Sequence, residues 1–401
     1  MKPTNNASPS TMSKPSGNKS LIYNPVFRSA LFQIIAVAAL VFFFYTIVNN
    51  ALNNLEARGI ATGFGFLDQE AGFGIGLTLI EYDETFSYGR TFVIGLLNTA
   101  LVSVLGIILA TIIGFTMGIA RLSSNWLVSR LAAVYIETFR NIPLLLQIFF
   151  WYFAVLQALP SPRQSLSLGE AIFLNVRGLY FPAPQMESGS SFVVATFIFG
   201  VICSIFISVW AKNKQRLTGQ QTPMGRIVLS LVVVLPLIVY FIMGMPISLN
   251  YPELKGFNFR GGISIIPELA ALLLALSVYT ASFIAEIVRS GINAVSHGQT
   301  EAAMSLGLPR SKTLKLVVIP QALRIIIPPL TSQYLNLTKN SSLAMAIGYP
   351  DLVSVFAGTT LNQTGQAIEI IAMTMGVYLT LSLITSALMN LYNRKVALVE
   401  R

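Results

Sequence analysis

The sequence predicts an all-α polytopic membrane protein with about eight transmembrane helices. Three observations carry that expectation. Of 401 residues, 54% are hydrophobic and only 10% are charged, against about 25% charged in an average soluble domain. Mean hydropathy is +0.68. Eight apolar runs reach the ~20 residues needed to cross a hydrocarbon core. When those runs alternate in direction, 18 of the 26 basic residues fall on one side and 6 on the other, with Arg140 and Lys339 left inside runs. The basic side is the cytoplasm by the positive-inside rule, and both termini lie there. Acids such as Asp68, Glu70, Glu81, Asp83 and Glu84 fall on the opposite side. Shifting the register by one run scrambles this separation. The net charge of +10 therefore reads as an orientation signal and not as a nucleic-acid surface. The single cysteine, Cys203, and the single histidine, His297, exclude an internal disulfide and make a zinc site or a Cys–His dyad untenable.

The elements follow in order. Residues 1–25 are rich in Ser, Asn, Pro and Lys and lack an apolar h-region, so they read as a disordered cytoplasmic tail and not as a cleaved signal peptide. The first run, Phe27 to Val48, leads into an outer loop over 51–90. The second, Thr91 to Ala120, carries Gly106, Ala110, Gly114 and Gly118. Small residues at every fourth position share one face and let helices approach closely, within the chain or at an interface. The third run, Leu131 to Ala158, contains Pro143, which bends or interrupts it. Glu137 and Arg140 share a face there and are spaced to pair. The fourth and fifth runs, Ser191 to Trp210 and Ile227 to Met245, carry no readable motif. The sixth, Pro267 to Ile287, has Glu268 and Glu286 near its ends, with Arg289 one turn from Glu286. The seventh, Ile325 to Ile347, is the weakest. Lys339, Asn340 and Ser341 at bilayer depth suit broken backbone lining a polar path. Glu137, Arg140 and Glu286 are further path candidates. The eighth run is Gln366 to Leu391.

Between the sixth and seventh runs lies "AVSHGQTEAAMSLGLPRSKTLKLVVIPQALR". Thr300 to Leu306 reads as a helix of about two turns, with Thr300 as its cap and Glu301 in its first turn. Ala302 and Ala303 give it a low-profile face. Gly307 suits its end, and Pro309 stops it. Arg310, Lys312 and Lys315 then meet an anionic leaflet or a partner.

"EAAMSLG" followed by Ile319 and Pro320 resembles the EAA loop of ABC-importer permease subunits. "AEIVRSGINAV", "PQALRIIIPPL", "KNSSL", "ETFRNIPLLLQIFFWYF" and "GLLNTALVSV" narrow the likeness to polar amino acid permeases of the histidine/glutamine type. The resemblance implies an ABC importer type I permease fold, with core segments over 91–158 and 263–394 and a cytoplasmic EAA loop at 290–324. Residues 26–50 would be an extra first helix, 159–262 an insertion carrying two crossings, and 395–401 a cytoplasmic C-terminus. This eight-span form is similar to one membrane subunit of the general L-amino acid importers of Gram-negative bacteria, in the inner membrane. Glu301, Ala302, Ala303, Gly307 and Pro320 are then expected to couple the spans to a separate ATPase dimer. The implied partners also include a second related permease subunit, a periplasmic amino-acid-binding protein, an amino acid substrate and the lipid bilayer, with no nucleic acid.

No cofactor is expected on this chain; ATP and Mg²⁺ belong to the partner ATPase. "GLPRSKT" lacks the glycines of a phosphate loop, with Ser311 before the Lys and Leu306 in the first glycine's place. With no nucleophile–base constellation either, the chain reads as non-catalytic. An ion-driven secondary transporter would need internal repeats, which the sequence lacks. A membrane scaffold would explain the loop but not Lys339.

Overall fold

The computed structural model describes residues 25–57, 59 and 62–396. The expected tail over 1–25 falls outside them except for Pro25, as does the C-terminus beyond residue 396. The chain divides into two units. The smaller comprises Met1–Phe64 with Thr364–Glu369, and the larger Gly65–Gln363 with Ile370–Arg401.

Within the smaller unit, α1 (Pro25–Ala57) is an unbroken helix. Its apolar stretch has no buried residue, so Phe32, Phe42 and Tyr45 present bare apolar surface, which suits lipid. Gly63 N–H donates to the Glu369 carboxylate at 2.5 Å.

The larger unit opens with α2 (Tyr88–Arg121). Next come α3 (Trp126–Asn141) and α4 (Leu144–Leu156), which meet at 107°. The third apolar run is thus a broken pair of helices and not one rod. Ile142 sits in extended backbone before Pro143, as the residue preceding a proline must. The Gln147 amide donates to the Phe139 and Ile142 carbonyls, which closes the corner. Later helices are α5 (Ser190–Thr218), α6 (Met224–Ile242), α7 (Pro267–Asn293), α8 (His297–Ser305), α9 (Arg310–Ile347), α10 (Val353–Thr360, continuing as Leu361–Thr364) and α11 (Ala367–Val396). Seven described helices are long and apolar enough to cross a membrane, or eight if the bent pair counts as one crossing.

The seventh crossing starts 15 residues before the expected Ile325, at Arg310, and tightens into a 3₁₀ turn over Ser341–Ile347. In α6 and α9 a widened π-turn, Ser230–Val234 and Leu314–Val318, precedes Pro236 and Pro320. Each proline lacks an N–H, and the widened turn accommodates the carbonyl left over.

Residues 166–265 also hold eight short strands that the sequence did not announce. Strands β1 (Leu166–Leu168), β2 (Ile172–Asn175) and β3 (Gly178–Phe181) join β8 (Ile263–Ile265) in an antiparallel sheet of order β1-β2-β3-β8. A ribbon pairs β4 (Ala183–Met186) with β5 (Ile247–Asn250), and another pairs β6 (Glu253–Lys255) with β7 (Asn258–Arg260). Strand β3 leads toward α5 and β8 leads into α7. Their pairing places the segments that lead into both helices in one sheet.

The core lies between α2 and α7. Lipid supplies no hydrophobic drive for helix association, so close backbone contact must hold the pair. Ala110 is fully buried. A Cβ on Gly114 would stand 2.6 Å from Ile284, and one on Gly118 would stand 2.7 Å from the Ala285 carbonyl; Gly106 abuts Leu337 of α9. The small-residue face of α2 is thus spent within the chain. Helix α7 answers with its own small residues, Ala271, Ala275, Ala281 and Ala285, all fully buried.

Candidate functional site

Three features stand out: a short helix at the basic face, a polar groove on α9 and α11, and a buried knot between them and α2.

Helix α8 begins at His297, three residues before the expected Thr300, with Ser296 at its cap position. Thr300 is interior to the helix and does not cap it. Glu301 is exposed, and its carboxylate lies 3.2 Å from His297 Nδ1, one turn earlier. Ala302 is exposed, but Ala303 is buried on the side toward the Leu314–Val318 turn, so only one of the two alanines offers an open surface. Gly307 exits at φ +78°, a left-handed conformation that glycine adopts without strain. Its N–H donates to the Met304 carbonyl and the Leu308 N–H to that of Ala303, satisfying the helix end. Met304 and Leu306 stand exposed beside this exit. The Gln321 amide donates to Gln299 at 3.3 Å, tying α8 to α9. Pro320 is half-buried in the first turn of the regular helix after the π-turn.

At the same face Glu286 pairs with Arg289 through contacts of 2.5 and 3.1 Å. Arg121 and Arg140 lie within electrostatic reach of that carboxylate. The expected Glu137–Arg140 pair does not form. Arg140 instead sits over the Phe283 ring at 5.3 Å, a cation–π contact that binds the α3–α4 corner to α7. Glu137 stays exposed.

Lys339 lies elsewhere. It is exposed in a groove of about 590 Å³ that also presents Ser342, Thr374, Tyr378 and Ser382 among Val353, Met375 and Leu379. The described residues place no carboxylate within ion-pair distance of it. Ser341 is buried and donates to the Thr338 carbonyl, so it is not among the residues open to the groove; Asn340 is half-buried. The structure therefore does not bring Lys339 together with Glu137, Arg140 or Glu286.

The sequence reading missed the knot behind this groove. The fully buried Asn98 donates its amide to the Pro350 and Leu77 carbonyls. Tyr349 donates back to the Asn98 carbonyl, and the Leu352 N–H donates to Thr99 Oγ1. Gly95 is required here, because a Cβ would lie 2.9 Å from Leu352 Cα. Asp351, fully buried between the two last spans, accepts from the Ser354 N–H at 2.9 Å and from Tyr378 Oη at 3.3 Å. Burial outweighs those donors and pushes its carboxyl up to about 7. The signal was present in "GLLNTALVSV", where Asn98 and Thr99 lie inside an apolar run, and in "AIGYPD", where an acid directly follows one.

Known proteins share this chain's pattern. The family described as "Binding-protein-dependent transport system inner membrane component" matches residues 223–398. The putative amino-acid ABC transporter permease protein YhdX of Escherichia coli (strain K12) is 57% identical over 94% of this chain and 96% of its own length. The general L-amino acid transport system permease protein AapQ of Rhizobium johnstonii is 52% identical over 96% of each chain. The glutamate/glutamine/aspartate/asparagine transport system permease protein BztB of Rhodobacter capsulatus is 42% identical over 95% of this chain and 96% of its own length.

Proposed function

This chain belongs to the permease subunits of amino-acid ABC importers, inner membrane components of binding-protein-dependent transport, and from that premise we propose how its parts divide the work. It is a non-catalytic membrane subunit. Both termini and α8 lie in the cytoplasm. There α8 docks on a separate ATPase dimer that binds ATP and Mg²⁺. A second related permease subunit completes the translocation path, and a periplasmic amino-acid-binding protein delivers the substrate at the outer face.

The observation that carries this reading is α8 itself. It holds Glu301, Ala302 and Met304 on open surface, with Leu306 exposed just past its end, while Gln299 ties it to α9 and Ala303 is buried. Such a helix transmits a push from a docked partner to α9 and α7 without bending. Closure of the ATPase pair would reorient those spans, giving alternating access. Lys339 supplies a cation on the path for the substrate's carboxylate, backed by Ser342, Thr374 and Ser382. Replacing Lys339 with Gln should reduce uptake or change selectivity between acidic and basic amino acids while the complex assembles; unchanged uptake of all classes removes it from the path.

The test of the whole reading is purification of the membrane complex followed by uptake of labelled amino acids into proteoliposomes, with and without ATP on the ATPase side. Co-purified ATPase and ATP-dependent uptake are expected. Uptake driven by an ion gradient without ATP would overturn it.

A further inference from the structure

The α5–α6 hairpin has no role in that reading, yet it has a constructed end. Its helices cross closely, with Gly200 against the Leu231 carbonyl. Otherwise they are bare: only 17% and 6% of their most apolar stretches are buried. Between residues 188 and 252 the chain has no acid at all. Four cations, Lys212, Lys214, Arg216 and Arg226, crowd the tip where α5 ends and α6 begins. Lys212, Arg216 and Arg226 are exposed, and none of the four is in an ion pair within the described residues. Lys214 lies over the exposed Trp210 ring at 5.3 Å, and Trp favours the interfacial level of a bilayer. The alternation of the apolar runs puts this tip on the same basic side as α8.

A groove of about 380 Å³ runs up the hairpin from that tip. Val201, Ile205 and Val209 line it from α5 with the small Ser204 and Ser208, Val228 and Val232 line it from α6, and Lys212 stands at its mouth. A channel mostly of valine and isoleucine, where the Ser208 hydroxyl is turned back on the Ser204 carbonyl, with a cation at its entrance matches one kind of occupant, an acyl chain carrying an anionic headgroup.

We propose that the α5–α6 hairpin binds an anionic phospholipid of the surrounding bilayer, with an acyl chain in this groove and the headgroup phosphate held by Lys212 with Arg216 and Arg226. Positive charge alone would attract a diffuse layer of anionic lipid; the groove makes the contact a site. The proposal does not depend on which solute the complex carries.

The test is native mass spectrometry of the detergent-purified full-length chain with its partner subunits. The protein is drawn from vesicles holding equal phosphatidylglycerol and phosphatidylcholine. Wild type should retain phosphatidylglycerol preferentially. Lys212→Gln with Arg226→Gln should lower that retention by roughly fivefold per cation removed. Ser208→Phe, which fills the groove and leaves every cation in place, should lower the count of bound lipid. Equal retention of the two lipids by wild type, or unchanged retention by both variants, would overturn the proposal.

Discussion

At the scale of single residues, tight contacts and buried polar groups decide what changes are tolerated. In Gly118→Ala the new methyl would meet the Ala285 carbonyl and Val288 Cβ, each at 2.7 Å. A backbone oxygen cannot step aside as a side-chain tip can, so the cost is about 1–3 kcal/mol. Gly225→Ala, in open space at the start of α6, should be neutral or gain up to about 1 kcal/mol from helix propensity. Thermal shift of the detergent-purified protein separates the two. Asp351 gives a pH test. Its carboxyl binds a proton more tightly folded than unfolded, so its contribution falls as pH rises from about 4 to about 7, where the folded group ionises at a cost. In Asp351→Asn the amide oxygen can still accept from Ser354 N–H. That variant should lose the downward slope over this window, and parallel melting curves for both proteins would refute the assignment. These residues were legible only in part. The glycine ladder is a spacing and can be read along one helix. Asn98 and Asp351 acquire meaning only from each other's neighbours, far apart in sequence.

At the scale of elements, α8 carries the sharpest expectation. Gly307→Ala meets no atom within 4 Å, so its whole effect is conformational. Holding a side chain at φ +78° costs about 1–2 kcal/mol and should loosen the exit of α8 without disturbing the crossings. Together with Glu301→Ala, it should lower the amount of ATPase that co-purifies while membrane insertion stays intact. Full co-purification with normal transport would refute the docking role. The long helices were readable because an apolar run of 20 residues has one meaning in a bilayer. The kink was readable at Pro143. The start of α8 was not, since Thr300 and Ser296 are both plausible caps and local spacing does not choose between them. The strands were illegible for a different reason. At three or four residues each, they are too short to establish an alternating pattern, and β3 finds β8 more than 80 residues later.

At the scale of the whole molecule, the chain leaves for the α5–α6 hairpin and returns from it at one place. Hairpin α5–α6 springs from the β4–β5 ribbon, where Met186 pairs with Ile247 and Glu187 N–H donates to the Pro246 carbonyl at 3.0 Å. Replacing residues 188–245 with Asn-Gly closes that ribbon as an ordinary two-residue hairpin. Two crossings leave together, so every later helix keeps its direction. The shortened protein should insert and melt near the wild-type temperature. A collapse in yield or an inverted C-terminus, read by labelling a cysteine placed near the C-terminus after Cys203 has left with the deleted segment, would show that the hairpin supports the core.

The knot around Asn98 also sets a schedule. Its partner Pro350 lies 252 residues downstream. At roughly 5–20 residues per second of synthesis, α2 is made on the order of ten to fifty seconds before that carbonyl exists. Throughout that interval the Asn98 amide has only its upstream partner, the Leu77 carbonyl, and one of its two donors waits. The first core helix is thus complete long before its knot can close, and the closing partner comes from near the far end of the chain.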